Sequence, residues 1–557
     1  MPTITLDKKT VLRHLGKKLA DKELADRISM MGTDLDEITA EHIQVEIFPN
    51  RPDLLSEQGF ARALSSFIGE KTGLKKYATK KSDYKLIIDK RNKDVRPYTA
   101  CAVVKRLSFD EKKIEQIIQI QEKLHVTYGR QRKKVAIGIY PLDKITFPIT
   151  FTSDKPENIR FTPLESDKEM DGKEILEKHP TGKEYAHLLE GQKRYPYFVD
   201  AKGDILSMPP VINSNTTGRV DETTKEVFIE CSGFDHTVLS KALNMILAAL
   251  ADEGAEIHEI TVENKHENKT YTLPEIEPEA MKLDTDFVNR RLGLSCSDAD
   301  IKKYLATMGI GYENKKALIP CYRYDIIDQS DLVEDIAIAY GFENFTPTIP
   351  NVATIGEEAP LEKFKEKLRQ MLVGLGLYET KTYNITSSET QTTLMNTNAL
   401  QPIKLSNSLT KDFDCVRAWV IPSLMNVLRE NKRYEYPQNY FDFGRIFKKD
   451  KSGKSETGIL EQERLAVVLC DKDTDYTSIK QVLDVIFQGL GREYATRAVE
   501  HDSFIPGRVG RVSLGKKDIA YVGEIHPQVL VNFELEMPVT ALELNITELF
   551  ELLKDSM

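Results

Sequence analysis

Apolar residues switch between a period of two and a period near 3.6 in four successive stretches of the chain, and each stretch predicts its own mixture of strands and helices. In the first, residues 1–82, Thr3-Ile4-Thr5-Leu6 reads as a short strand, and Asp7 is placed to cap a helix carrying Val11, Leu12 and Leu15. A second helix over 24–31 is stopped by Gly32, and a strand over 43–48 runs into Pro49-Asn50-Arg51-Pro52-Asp53. An amphipathic helix with Leu54, Leu55, Phe60, Leu64 and Phe67 follows, and a lysine-rich linker closes the block. Residues 83–270 alternate strands (100–104, 134–139, 227–231) with helices at 112–124 and 238–250; the latter is apolar on most faces, which predicts burial. Residues 271–348 read as two helices, a strand over 316–320 as a wing and a third helix ended by Gly341, a winged-helix-like order. Residues 355–557 open on a helical stripe of Leu361, Phe364, Leu368, Leu372 and Leu375. Strands at 379–385, 441–443, 465–470 and 540–544 then predict an antiparallel sheet with helices on one side. The predicted fold class is therefore α+β and multidomain, with no internal repeat.

Composition narrows the class. At 557 residues with 40% hydrophobic side chains, the chain can build several cores. The formal charge of −10 does not exclude a nucleic-acid partner, because binding depends on a local patch rather than on the sum. The six cysteines never fall in a CxxC pair, which argues against a zinc ribbon and fits a reducing compartment. The first residues carry charges every few positions, and no run of about 18 uncharged apolar residues occurs. No leader and no membrane span are expected, and the cytoplasm is the default location.

Three clusters are candidates for chemistry. Asp331, Glu334 and Asp335 lie three and four apart in one predicted helix, with Asp325 just before it. Hard oxygen ligands without Cys or His favour Mg²⁺, whereas acids in a first helical turn are also stabilised by the macrodipole with no metal. Arg130, Arg132, Lys133 and Lys134 put four positive charges in five positions, which suits a phosphate backbone or simply a solvated loop. The run Ser207 to Ser214, with Asp235 and Thr237 downstream, offers small polar groups at strand ends; Asp235 and Thr237 also suit a helix cap. Gly453-Lys454-Ser455 lacks the glycine that a phosphate loop requires, since Lys448 stands there, and no HExxH, GxSxG or dinucleotide fingerprint is present.

Pro49-Asn50-Arg51-Pro52-Asp53-Leu54-Leu55, the run 207–214, Arg323-Tyr324-Asp325 through Gly341, Phe441-Asp442-Phe443-Gly444, Phe504-Ile505-Pro506-Gly507-Arg508 and Gly523-Glu524-Ile525-His526-Pro527 stand in one order along the chain. Together they resemble the β subunit of phenylalanyl-tRNA synthetase in its archaeal and eukaryotic form. The resemblance implies an editing domain at 83–270 that hydrolyses mischarged Tyr-tRNA, with Leu206, Pro209, Ser214, Asp235 and Thr237 at its site. It implies Mg²⁺ on Asp325, Asp331, Glu334 and Asp335. It also implies that the tail domain is a class II synthetase fold without catalytic arginines, docked on an α chain in an α₂β₂ tetramer. ATP and phenylalanine would then bind α, and tRNA(Phe) would be the shared substrate. Two other readings of the residues are a nucleic-acid-binding regulator built on the winged-helix-like block and a metal-dependent nuclease built on the acidic cluster.

Overall fold

The structure is a computed structural model and describes residues 2–107, 111–351, 356–453 and 455–554. The chain divides into two compact units, Met1–Ile349 and Pro350–Met557. The first three predicted blocks fall within the first unit and the fourth within the second.

In the first unit, Thr3–Asp7, His42–Glu46 and Asp34–Ile38 form an antiparallel sheet in that order. Asp7 caps the helix Lys8–Leu15 by accepting from the Thr10 amide, and Gly16 ends it in the left-handed region at φ 78°. The next region builds two sheets. A five-stranded sheet is ordered Thr79–Lys80, Glu256–His258, Tyr98–Lys105, Val227–Gly233, Val135–Pro141. A seven-stranded sheet runs from Ile212–Asn213 through Ile205–Met208, Tyr195–Val199, Ile149–Asp154, Lys85–Ile88 and Ile260–Asn264 to Lys269–Leu273. The helix His236–Asp252 is buried continuously from Leu239 to Leu250, as a surface apolar on most faces predicts, and the burial takes Ser240, Lys241 and Asn244 with it. Further on, the helices Thr285–Leu292, Asp298–Thr307 and Gln329–Tyr340 surround a hairpin of Gly311–Glu313 and Lys316–Ile319, with Glu279–Lys282 on its outer edge. This is the winged-helix order read from the sequence.

The second unit is organised by a seven-stranded sheet, ordered Tyr378–Glu379, Gln438–Lys449, Ile459–Cys470, Val539–Asn545, Lys517–Ile525, Phe504–Leu514, Ala495–Ala498. Every pairing is antiparallel except the first. The expectation of helices on one side is corrected here. Leu465, Val467 and Leu469 pack with the helices Pro360–Gly374, Tyr476–Gly489 and Ile546–Leu553. Ala466, Val468 and Cys470 pack instead with Ile421–Asn431 in a separate core. Successive strand residues face opposite sides, so an unbroken apolar run such as 465–470 requires cover on both.

One buried ion pair locks this sheet. Arg417 and Asp442 have no exposed side-chain surface and lie 3.3 Å apart. The guanidinium also donates to Thr382 Oγ1 (2.6 Å), Asn384 Oδ1 (3.0 Å) and the Arg445 carbonyl (2.8 Å). Gly444 makes room for it: a Cβ there would stand 2.4 Å from Arg417 Nη2 and 3.0 Å from Val420 Cγ2. Because the guanidinium is pinned by these partners, Gly444→Ala is expected to cost about 1–3 kcal/mol through overpacking, read as a lowered midpoint in thermal unfolding.

Candidate functional site

Strand Val227–Gly233 sits between two neighbours in the five-stranded sheet, and all seven of its residues are buried. Glu230 is the charged exception, 1% exposed, on the same face as Phe228 and Ser232. It lines a cavity of about 370 Å³ whose walls include Ile114, Ile139, Pro209 and Val220. Directly opposite Glu230 is Gly138, where a Cβ would stand 2.6 Å from Glu230 Oε1 and 2.1 Å from the Tyr140 hydroxyl. A glycine is what leaves the carboxyl its space.

The Tyr140 hydroxyl lies 2.7 Å from Ser207 Oγ and 3.2 Å from Glu230 Oε1. Glu230 Oε2 is buried without a partner. Burial pushes the Glu230 carboxyl up to about 8 despite the opposing pull of Arg96, so at neutral pH it is mostly a neutral acid that can donate or accept. An unpaired buried polar atom costs about 1–3 kcal/mol, and a hydroxyl brought into the cavity would relieve that cost.

His125 also borders the cavity, but both of its ring nitrogens are committed. Nε2 accepts from the Ile137 amide (2.8 Å), which leaves the ring proton on Nδ1 to donate to Glu122 Oε1 (3.1 Å). Burial lowers its pKa as well, so the ring is neutral and has no free lone pair to act as a base.

The basic cluster is not one surface. Arg130, Gln131 and Arg132 are consecutive left-handed residues (φ 49°, 56° and 62°), a turn that costs about 1–2 kcal/mol per residue. The turn carries Arg132 inward. Its guanidinium donates to the Val211 carbonyl (2.9 Å) and to Glu122 (3.1 Å), and it stacks 4.1 Å from the Tyr185 ring centre. Arg130 and Lys133 are exposed and Lys134 is half-buried, so the expected phosphate-facing set loses Arg132 to the cavity wall.

The expected hydrolytic residues are likewise not gathered in one place. Pro209 lines the cavity. Leu206 and Ser214 are fully buried beside it, joined by a bond from the Ser214 amide to the Leu206 carbonyl (2.8 Å). Asp235 and Thr237 border a different opening, next to Tyr98 and Tyr271. There Asp235 caps the helix His236–Asp252, accepting from the amides of Thr237 (2.9 Å) and Val238 (3.2 Å). The capping alternative is the one the geometry supports. Glu230, Tyr140 and Ser207 escaped the sequence reading, although a lone carboxylate inside the apolar run Val227-Phe228-Ile229-Glu230-Cys231 was a visible signal.

The four acids expected to hold Mg²⁺ do not form a cage. Asp325 and Asp335 both close on Arg323, Asp325 through two bonds (2.8 and 2.6 Å) and Asp335 through one of 2.9 Å. Asp331 turns back to accept the amides of Ile327 (2.7 Å) and Asp328 (2.8 Å) in a capping box, and Glu334 is exposed. Among the described residues no three His, Cys, Asp or Glu side chains are grouped to share a cation. Arg323 holds two of the four carboxylates and backbone amides hold a third, so the donor set as it stands does not fit Mg²⁺. No helix among the described residues is long and apolar enough to cross a membrane.

Four family descriptions match in succession. They are the Phe-tRNA synthetase beta subunit B1 domain (residues 1–70), the B3/4 domain (91–249), the tRNA synthetase B5 domain (281–342) and the phenylalanyl-tRNA synthetase beta chain CLM domain (346–546). The Glu230 cavity lies largely within the second match. The chain is 37% identical over 560 residues to a phenylalanine–tRNA ligase beta subunit of Pyrococcus horikoshii, covering 99% of this chain and all (100%) of that one. Proteins of the same name from Thermococcus sibiricus and Methanocaldococcus jannaschii are each 38% identical, with 98% of this chain aligned to 98% and 100% of theirs. A crystal structure of an N-terminal fragment of the phenylalanyl-tRNA synthetase beta subunit from Pyrococcus horikoshii superposes with a TM-score of 0.58 at 36% identity, covering 61% of this chain and 99% of the fragment. With identity of this order sustained from end to end, the chain belongs to the family of phenylalanine–tRNA ligase β subunits.

Proposed function

We propose that this chain is the β half of a cytoplasmic phenylalanine–tRNA ligase that pairs with an α subunit in an α₂β₂ tetramer. The assembly charges tRNA(Phe) with phenylalanine using ATP, and the Glu230 cavity hydrolyses tyrosine attached in error. The likeness over the full chain supports the first part. The second rests on one observation, the buried and unpartnered Glu230 Oε2 in a cavity with apolar side chains among its walls.

Tyrosine differs from phenylalanine by one hydroxyl, and an apolar activation pocket rejects an added hydroxyl poorly. A second pocket built to hydrogen-bond that hydroxyl discriminates much better, because the ligand lacking it leaves a buried polar group unpaired. Apolar walls at Ile139 and Val220 would hold the ring while Glu230 takes the phenolic hydroxyl. Hydrolysis then needs a water whose oxygen adds to the ester carbonyl, with the bond to the ribose oxygen breaking and that oxygen taking up a proton. With His125 committed on both nitrogens, binding and positioning rather than a side-chain base carry the reaction. No step runs through Mg²⁺ on Asp325, Asp331, Glu334 or Asp335. The withdrawal of Arg132 from the basic cluster removes support from the regulator reading.

The test is co-expression with an α subunit, followed by sizing, phenylalanine charging and hydrolysis of preformed Tyr-tRNA(Phe). Charging that proceeds equally well without this chain would overturn the first part, and Tyr-tRNA no shorter-lived than Phe-tRNA would overturn the second.

A further inference from the structure

The second unit contains a cavity of about 430 Å³ on the face of its sheet that carries the core of Ala466, Val468 and Ile446. Along four strands the residue two places beyond an apolar core position on this face is charged. Lys448 follows Ile446, Arg464 precedes Ala466, Glu543 follows Ala541, and Arg511 follows Val509. Pairing sets Glu543 opposite Tyr521 and Tyr521 opposite Arg511, and all four charged side chains line the one cavity.

Three cations on this floor face one carboxylate, and that carboxylate is already engaged: Glu543 Oε2 accepts the amides of Val420 (2.9 Å) and Ile421 (3.1 Å). Arg464 donates to Gln462 Oε1 (2.8 Å), but its Nε is buried with no partner. Burial, and after it the nearby Arg464 and Arg511, lowers the Lys448 ammonium below its usual value against the opposing pull of Glu543. Arg511 stacks 3.9 Å from the Tyr521 ring centre, and among the described residues its ion-pair partner is Asp518, 3.4 Å away and shared with Arg497. Trp419 and Phe504 complete an aromatic wall, while Glu500 and Asp502 are exposed at the rim.

We propose that this cavity binds a small anion carrying a flat ring, with its charged group on Lys448 and Arg464 and its ring against Trp419 and Tyr521. The volume lies in the range of small-molecule sites. The acidic rim selects a ligand whose charge is confined to one end, and the unpartnered Arg464 Nε supplies a donor whose bond to an anion is charge-assisted. A phosphate or a carboxylate meets the same floor, so the experiment carries both.

Trp419 is the single tryptophan of the chain and lines the cavity, so its emission reads this site alone. The full chain is titrated with adenosine monophosphate, benzoate and inorganic phosphate. A saturable change with adenosine monophosphate or benzoate is expected, with affinity at least about tenfold above that for phosphate alone. Lys448→Met and Arg464→Met should each weaken it by about tenfold or more. Thermal unfolding of the free variants, with their unliganded Trp419 emission, checks that the fold is kept. The proposal is overturned if none of the three probes gives a saturable change, if phosphate alone binds as well as the ring-bearing anions, or if both folded variants bind like the parent.

Discussion

Replacing Glu230 by leucine is expected to slow hydrolysis of preformed Tyr-tRNA(Phe) by about 10- to 100-fold, the loss of one hydrogen bond to a buried group of about 1–3 kcal/mol. Leucine keeps the volume but offers the phenolic hydroxyl nothing, so the hydroxyl would itself be buried unpaired. Charging with phenylalanine should be unchanged, because the activation site is assigned to α. Glu230→Gln keeps a donor and an acceptor at the same place and should retain more activity than leucine, which separates hydrogen bonding from charge. Loss of fold does not confuse the result. The folded pKa of Glu230 is raised to about 8 from a reference of 4.5, so the stability it contributes is complete below the reference value and is lost as pH rises through about 8. Neither variant carries that buried charge, so both should unfold at least as high as the parent at alkaline pH, where the parent alone must ionise. Single-turnover deacylation of Tyr-tRNA measures the effect; rates in Glu230→Leu equal to the parent would place the hydrolytic pocket elsewhere.

The sequence made the regular elements legible and left their partners hidden. Asp7 and the mostly apolar helix His236–Asp252 obey local rules of capping and periodicity, and each occurs as those rules require. The strands between Ile149 and Asn213 are short, at two to six residues, too few for an alternating pattern to stand out, and Ile149–Asp154 pairs with Lys85–Ile88, far away in the chain. The same limit governed the sites. Spacing placed Asp331, Glu334 and Asp335 as neighbours on one helix, but not which cation would reach them. Arg323 took Asp325 and Asp335, and the amides at the helix start took Asp331. Glu230 was legible in principle, since a carboxyl in the middle of a buried strand is costly unless something uses it. Its meaning came only from register: Gly138 lies opposite it across one ladder and Cys101 across the other.

Arg323→Met should lower the stability of the first unit by about 3–5 kcal/mol. Arg323 is 3% exposed, and its side chain is the shared partner of Asp325 and Asp335, whose side chains are 11% and 5% exposed. Methionine fills the space but leaves two buried carboxylates facing each other, and a stranded buried charge costs far more than a replaced pair. The damage spreads, because Arg51 grips Asp53 through two bonds of 2.8 Å in the same Arg-x-Asp arrangement, and Arg323 also helps hold the Asp53 carboxyl below its usual range. The sign with pH follows from the stranded acids. Without Arg323, the folded-state pKa of Asp335 rises further above its unfolded value, so folding binds a proton and stability falls as pH rises. The defect should therefore be largest at neutral pH and shrink on acidification as Asp335 is protonated, the reverse of what simple acid lability would give. Urea unfolding of parent and variant at neutral and mildly acidic pH measures both effects. A variant as stable as the parent, or one whose deficit grows on acidification, would show that these carboxylates are held by something other than Arg323.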